Sequence, residues 1–189
     1  MDMIRTFIAF SFPEEIKKNL GCISKEMNIS SNVKWVSTSS MHLTMKFLGD
    51  VHKNDIGKIT QDIKDIASQY HNFSIHISSL GVFKTQQTPT VLWAGIQGNI
   101  QMLNLIHNDL QGSMEKYGVE REARGFSPHI TLARFTRFYR ANEKFWNFIE
   151  QNKAREFGTI ECKELILFKS ELRPTGAVYT PLSSASLQE

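Results

Sequence analysis

Cysteine is nearly missing from this chain: only Cys22 and Cys162 occur among 189 residues, with no neighbour at metal or redox spacing. That excludes a disulfide framework and makes a reducing compartment the default. Long apolar runs are lacking too. None approaches the roughly 20 residues that a membrane-crossing helix needs. The opening MDMIRTFIAFSFPEEIKK has an apolar run shorter than a signal-peptide core, and acidic residues follow it at once, so a cytoplasmic protein is expected. Neither sign of charge dominates. Lys and Arg number 22 against 19 Asp and Glu, a formal +3. This suits an anionic ligand but is too mild to announce a nucleic-acid binder. The patterns GxxxxGK[ST], GxGxxG and GxSxG are all absent, which disfavours P-loop nucleotide hydrolysis, dinucleotide binding and the serine-hydrolase elbow. No two of the six histidines stand at HxH or HxxxH spacing, and no acidic cluster accompanies them. Neither a metal site nor a cofactor is expected.

What is present is a core. Apolar residues make up 41% of the chain, and thirteen Phe and three Trp supply bulk. The length suits one domain over 1–189. RTFIAFSF at 5–12 predicts a strand, and Pro13 opens a helix with Glu14 and Glu15 in its first turn. Ile16, Leu20, Ile23 and Met27 give that helix one apolar face. VKWV and SSMHLTMKFLG read as strands. Asn54 is placed to cap a helix carrying Ile56, Ile59, Ile63 and Ile66. Strands are expected over 73–83 and 90–96, then a helix with Ile100, Leu103, Ile106, Leu110 and Met114. PHITLARF, a helix over 142–152, strands across FGTIECKELILF, and a turn and strand in SELRPTGAVYTPL complete the order. The end, SSASLQE at 183–189, reads as a frayed polar tail.

This order runs through twice. Phe7 to Trp93 is 86 residues, His42 to His129 is 87, and Asp55 to Asn142 is 87. Phe73 to Phe157 is 84 and Phe83 to Phe168 is 85. Such agreement suits one duplicated unit, over 1–87 and 88–182, with small loop changes. The fold class expected is α+β: two pseudo-symmetric antiparallel lobes, each sheet backed by its own two helices, with a cleft between.

The repeat carries a chemical motif. MHLTMKFL at 41–48 and SPHITLARF at 127–135 each set His-x-Thr in an apolar, strand-forming run. Side chains alternate along a strand, so His42 and Thr44 share one face while Leu43 and Met45 point into a core. His129 and Thr131 share a face likewise. One such match means little, since Thr follows a His at this spacing about one time in twenty by composition. Two matches in register with a repeat are a different matter. Two imidazoles can divide acid and base roles near neutral pH, with hydroxyls and cations holding an anionic centre between them. A phosphodiester has that shape and charge.

The other histidines read as structural or solvated: His52 and His71 at loop or helix ends, His76 on a polar strand face, His107 beside an apolar helix face. Strict alternation places Lys46 with His42 and Thr44, and turns Arg134 away from His129. Arg124 lies on the loop that enters the second motif. Among aromatics, Phe7, Phe10, Phe12 and Trp35 are candidates to stack a base, with core packing as their alternative use.

The paired HLTM and HITL segments resemble the HxTx signatures of the 2H phosphoesterase superfamily. RTFIAFSFPEEI, VKWVSTSSMHLTMKFLGDV, LGVF, VLWAGI, FSPHITLARF and SELRPTGAVYTPL resemble its RNA 2',3'-cyclic phosphodiesterase branch, also called 2'-5' RNA ligases. The resemblance implies a bilobal fold, a cleft between lobes, and metal-free hydrolysis of an RNA 2',3'-cyclic phosphate to a 2'-phosphate. It implies His42 as proton donor, His129 as proton acceptor, and Thr44, Thr131 and Arg134 as phosphate ligands. For Arg134 it opposes the alternation argument. Lys46 stands where the family more often has a small or apolar residue, so an added cation there is expected to alter substrate preference. Ligation in the reverse direction, giving a 2'-5' linkage, and a non-catalytic RNA-end-binding module are the alternatives. The partner implied is RNA with a cyclic phosphate end, such as a tRNA fragment, or a small cyclic nucleotide; the protein is expected to be a monomer without cofactor.

Overall fold

The computed structural model describes residues 2–85, 88–174 and 176–189. The expected repeat boundary at 87/88 therefore touches residues outside the described set, as does Thr175 in the expected turn. Among the described residues nine strands form two antiparallel sheets. They are β1 (Met3–Phe10), β2 (Val33–Trp35), β3 (Leu43–His52), β4 (Phe73–Thr85), β5 (Thr88–Gly98), β6 (His129–Phe135), β7 (Glu156–Cys162), β8 (Glu164–Arg173) and β9 (Gly176–Ser186). Four α-helices accompany them: α1 (Glu14–Met27), α2 (Ile56–Ala67), α3 (Ile100–Met114) and α4 (Glu143–Gln151). The sheet orders are β3-β1-β8-β9 and β2-β6-β5-β4-β7.

The α+β class and the two sheets are as expected, but the halves of the sequence are not the lobes. Each His-x-Thr strand lies beside the first strand of its own half, β3 with β1 and β6 with β5. The next strand then comes from the other half: β8 in the first sheet, β4 in the second. The helices cross over as well. Helix α1 packs on β6 and β7, and α3 packs on β3. Neither half can bury its sheet alone, because each sheet is completed by a hairpin strand of the other.

Local chemistry explains most element ends. Pro13 precedes α1, whose buried residues Ile16, Leu20, Ile23 and Met27 are the predicted stripe. Asn28 ends it at φ 48° and donates its N–H to the Ser24 carbonyl. Asn142 caps α4, accepting the Phe145 N–H at 3.0 Å. Asn54 does not cap α2. It lies within a 3₁₀ turn, Lys53–Asp55, that leads directly into the helix, so its side chain is never at the half-in position a cap requires. The end of the chain is not frayed either. Ser183 and Ser186 pair with β8, Leu187 is buried, and its N–H reaches the Lys163 carbonyl at 2.7 Å. Polar serines occupy this segment because β9 is an edge strand with an outer face in water.

Candidate active site

Both His-x-Thr strands carry a β-bulge at the same position of the motif. In β3, Ala9 pairs with Thr44 and Ile8 with Lys46, which leaves Met45 unpaired. In β6, Trp93 pairs with Thr131 and Leu92 with Ala133, which leaves Leu132 unpaired. An extra residue reverses the alternation beyond it. Met45 and Lys46 are both buried, as are Leu132 and Ala133. The next residues, Phe47 and Arg134, return to the face of the histidines and line one cleft with them. Strict alternation had turned Arg134 away; the bulge turns it in.

The bulges equally overturn the reading of Lys46. Its side chain lies on the helix side, not in the cleft. The ammonium donates to the Gln111 side chain, to the Glu120 carbonyl at 3.0 Å, and to Glu122 at 3.4 Å. It fastens the loop that leads to the second motif and is no additional cation for a ligand. His107, buried beneath the same bulge, donates Nδ1–H to the freed Met45 carbonyl at 2.7 Å and stacks on Phe126 at 4.2 Å between ring centroids. His76 bonds Thr159 at 2.8 Å on an exposed strand face, and His52 and His71 are exposed.

The cleft encloses about 490 Å³. His42, Thr44, His129, Thr131 and Arg134 all line it, with Arg124 from the entering loop. Each imidazole is oriented in the same way. His42 Nδ1 lies 2.7 Å from the Ser40 carbonyl, and His129 Nδ1 lies 2.8 Å from the Ser127 carbonyl. A carbonyl only accepts, so Nδ1 carries the proton in both rings. Nε2 is thereby left free to exchange a proton with a ligand. Each ring rests on an aromatic platform. Phe7 stacks under His42 at 4.6 Å and on Phe168 at 5.2 Å. Phe83 meets His129 edge-on at 4.8 Å and leans on Trp93 at 5.5 Å. Gly81 lets the Trp93 ring lie against β4, where an added Cβ would fall 2.1 Å from it. The repeat pairs Phe7/Trp93 and Phe83/Phe168 are thus the two supports of the two imidazoles.

Burial holds His42 far below its ordinary value, at about 4; its bond to Ser40 opposes this, while Arg134, His129 and Lys17 push the same way. Burial also lowers His129, again against a carbonyl bond and with Arg134 assisting. Without a ligand both rings are neutral near pH 7, and Arg134 is a cation close enough to act on both. An anion seated among the three groups would restore the protons that burial removes.

The candidate stacking residues are used in packing. Phe7, Phe10 and Phe12 are buried, and Trp35 donates its indole N–H to the Ile29 carbonyl at 3.0 Å. The aromatics that do line the cleft are Phe47, Phe83, Phe126 and Tyr179. Phe47 is 46% exposed although it lies within β3. Tyr179, edge-on to His42 at 5.2 Å, has its hydroxyl raised by burial and stays a neutral phenol. Phe47 was detectable in the sequence: 87 residues separate it from Arg134, so the repeat places both at one position. Among the described residues no three His, Cys, Asp or Glu side chains gather to hold a metal ion. No helix of the described residues is long and apolar enough to cross a membrane.

Two sheets that turn a pair of neutral imidazoles, two threonines and an arginine into one cleft define a phosphoesterase of the paired-histidine class. The chain belongs to the LigT like Phosphoesterase family, whose model matches it twice, over residues 10–93 and 96–179. An RNA 2',3'-cyclic phosphodiesterase of Thermotoga maritima is 32% identical over 182 residues, 95% of this chain and 93% of that protein. The RNA 2',3'-cyclic phosphodiesterase of Aquifex aeolicus is 27% identical, covering 95% of both. In structure, a Thermus thermophilus protein matches with TM-score 0.82 at 25% identity over 98% of both chains. Escherichia coli LigT, solved with 3'-AMP, matches in fold with TM-score 0.81 at 21% identity over the full length of both.

Proposed function

We propose that the protein hydrolyses RNA 2',3'-cyclic phosphodiester ends to 2'-phosphomonoesters by two-histidine acid–base catalysis, without a metal ion. The observation that carries this reading is the pair of Nε2 atoms, each freed by an Nδ1–carbonyl bond, in one cleft with Arg134. The names of the relatives support the substrate class. His129 takes a proton from water as its oxygen bonds to phosphorus. The bond from phosphorus to O3' breaks, and His42 gives its proton to O3'. The bond to O2' remains, which leaves a 2'-phosphate. Arg134, Thr44 and Thr131 bind the non-bridging oxygens, where charge grows in the transition state. The base of the terminal nucleotide rests on Phe47, the exposed aromatic at the cleft.

Burial lowers the proton affinity of both rings in the free site, yet His42 serves as the donor. The working enzyme therefore carries one proton shared by the pair, and the phosphodiester anion draws it onto His42. The site is complete within one chain, which fits a monomer, and two free cysteines, one exposed, fit the cytoplasm. The double family match supports reading 1–87 and 88–182 as a duplicated unit.

Product analysis tests the proposal. EDTA-treated protein is incubated with an oligoribonucleotide ending in a 2',3'-cyclic phosphate. A 2'-phosphate end at an undiminished rate is expected. A 3'-phosphate end, or loss of turnover on chelation, would overturn the mechanism. Binding without turnover would make the protein an end-binding module.

A further inference from the structure

Beyond the cleft, cations and an exposed aromatic continue along the edge of the second sheet. Strand β2 is the outer strand there, and Lys34 stands directly opposite Arg134 on β6. Directly opposed residues share a face, so Lys34 lies beside Arg134 on the cleft side. Val36, two residues on, has the same parity and lines the cleft itself. From Arg134 the chain runs FTRFYR through a turn at the end of β6. The turn is pinned. Thr136 donates its N–H to the Asn32 carbonyl at 2.9 Å and its hydroxyl to the Asn32 side chain at 3.2 Å, and the Tyr139 N–H returns to the Thr136 carbonyl at 3.0 Å.

The three aromatics of this turn divide their work. Phe135 and Tyr139 stack on each other at 4.5 Å and meet Phe145 of α4, on the helix side of the sheet. Phe138 is left outside, 61% exposed, with the Arg137 guanidinium over its ring at 4.8 Å. Core packing has no use for it. The cations are equally uncommitted. Among the described residues Lys34, Arg134 and Arg137 are in no ion pair. Lys34 and Arg137 thus extend the positive charge of Arg134 along this edge without a carboxylate partner among the described residues.

We propose that Lys34, Arg137 and Phe138 form a docking track for the single-stranded RNA immediately 5' of the cyclic phosphate, an inference that rests on the function proposed above. Lys34 and Arg137 neutralise backbone phosphates. Phe138, held flat by Arg137, stacks an unpaired base. A paired base has no free face at this point, so the track selects a strand and not a duplex. The track adds affinity for an oligonucleotide and nothing for a cyclic mononucleotide, which ends at the cleft.

The test compares three substrates: a nucleoside 2',3'-cyclic phosphate, a single-stranded oligoribonucleotide with the same end, and that strand annealed to a complement reaching the end. Wild type is compared with Lys34→Ser, Arg137→Ser and Phe138→Ser, singly and together. The expected result is that the triple variant loses at least about tenfold in kcat/KM on the single strand and nothing on the mononucleotide. Its log–log salt slope should flatten by about 0.7 for each phosphate contact removed. Equal losses on both substrates, no loss on the single strand, or equal wild-type kcat/KM for strand and duplex would each overturn the track. Failure of the underlying reading shows differently, as wild type that turns over none of the three.

Discussion

Replacing Arg134 by Met should lower kcat by about 10²–10³-fold on any cyclic phosphate substrate, because in the proposed mechanism it removes the cation that faces the charge building on the phosphoryl oxygens. Arg134→Lys should recover only part of this, since an ammonium cannot present two parallel donors. Steady-state kinetics on a nucleoside cyclic phosphate decides it, and a variant within twofold of wild type would remove Arg134 from the site. The histidines supply a second expectation. Burial lowers both rings, His42 to about 4, while the ligand is away. In the proposed mechanism one proton is held on the pair, so kcat/KM should be bell-shaped with both limbs below the ordinary histidine value near 6.5. A bound phosphodiester anion raises both rings, so the limbs of kcat should lie at higher pH than those of kcat/KM. Profiles measured on one substrate from pH 4 to 8 check the sign of that displacement; coincident limbs would contradict it.

At the scale of elements the two bulges are the decisive feature. Each inserts one residue, Met45 or Leu132, and so delivers Phe47 and Arg134 to the cleft face. The bulge in β3 frees a buried carbonyl that His107 satisfies. His107→Ala should therefore cost about 1–3 kcal/mol in denaturant unfolding, with kcat also reduced as the strand resettles; unchanged stability would show the bulge to be held by the ladder alone. Here too lies the limit of what could be read from residues. Alternation correctly paired His42 with Thr44 and His129 with Thr131, since those residues precede the bulge. It failed for Lys46 and Arg134, which follow it, and nothing in TMKF or TLAR marks an inserted residue. The family resemblance implied a place for Arg134 at the cleft, and the bulge accounts for its lining the cleft. Helical spacing did better: the buried stripe of α1 is the one read from the sequence. The aromatics Phe7 and Phe10 were ambiguous because the second half of β1 is buried on both faces, which erases the alternation that separates core from cleft.

For the whole molecule, the exchange of strands between halves is what the linear repeat could not disclose. The offsets between Phe7 and Trp93 or His42 and His129 are compatible with two separate lobes or with two that trade hairpins. Pairing of β8 with β1 and β4 with β5 decides for the exchange. Each sheet then depends on both halves, so thermal unfolding should be a single transition whose calorimetric and van't Hoff enthalpies agree. Segments 1–87 and 88–189 made separately should not fold. Two resolved transitions, or a folded half, would contradict this. The exchange also serves the site, because Phe83 of the first half supports His129 of the second, and Phe168 of the second lies beneath Phe7 and His42. The cleft that holds both imidazoles is thus braced by aromatics from both halves.

The central claim is that His42 and His129 act as one acid–base unit. Single-turnover rates on a cyclic-phosphate oligonucleotide measured for His42→Ala, His129→Ala and the double variant test it most directly. Each single variant should lose about 10²–10⁴-fold, and the double variant should lose little more than the worse single, because a unit lacking one member has already failed. Near-wild-type turnover in either single variant, or losses that simply multiply, would contradict it.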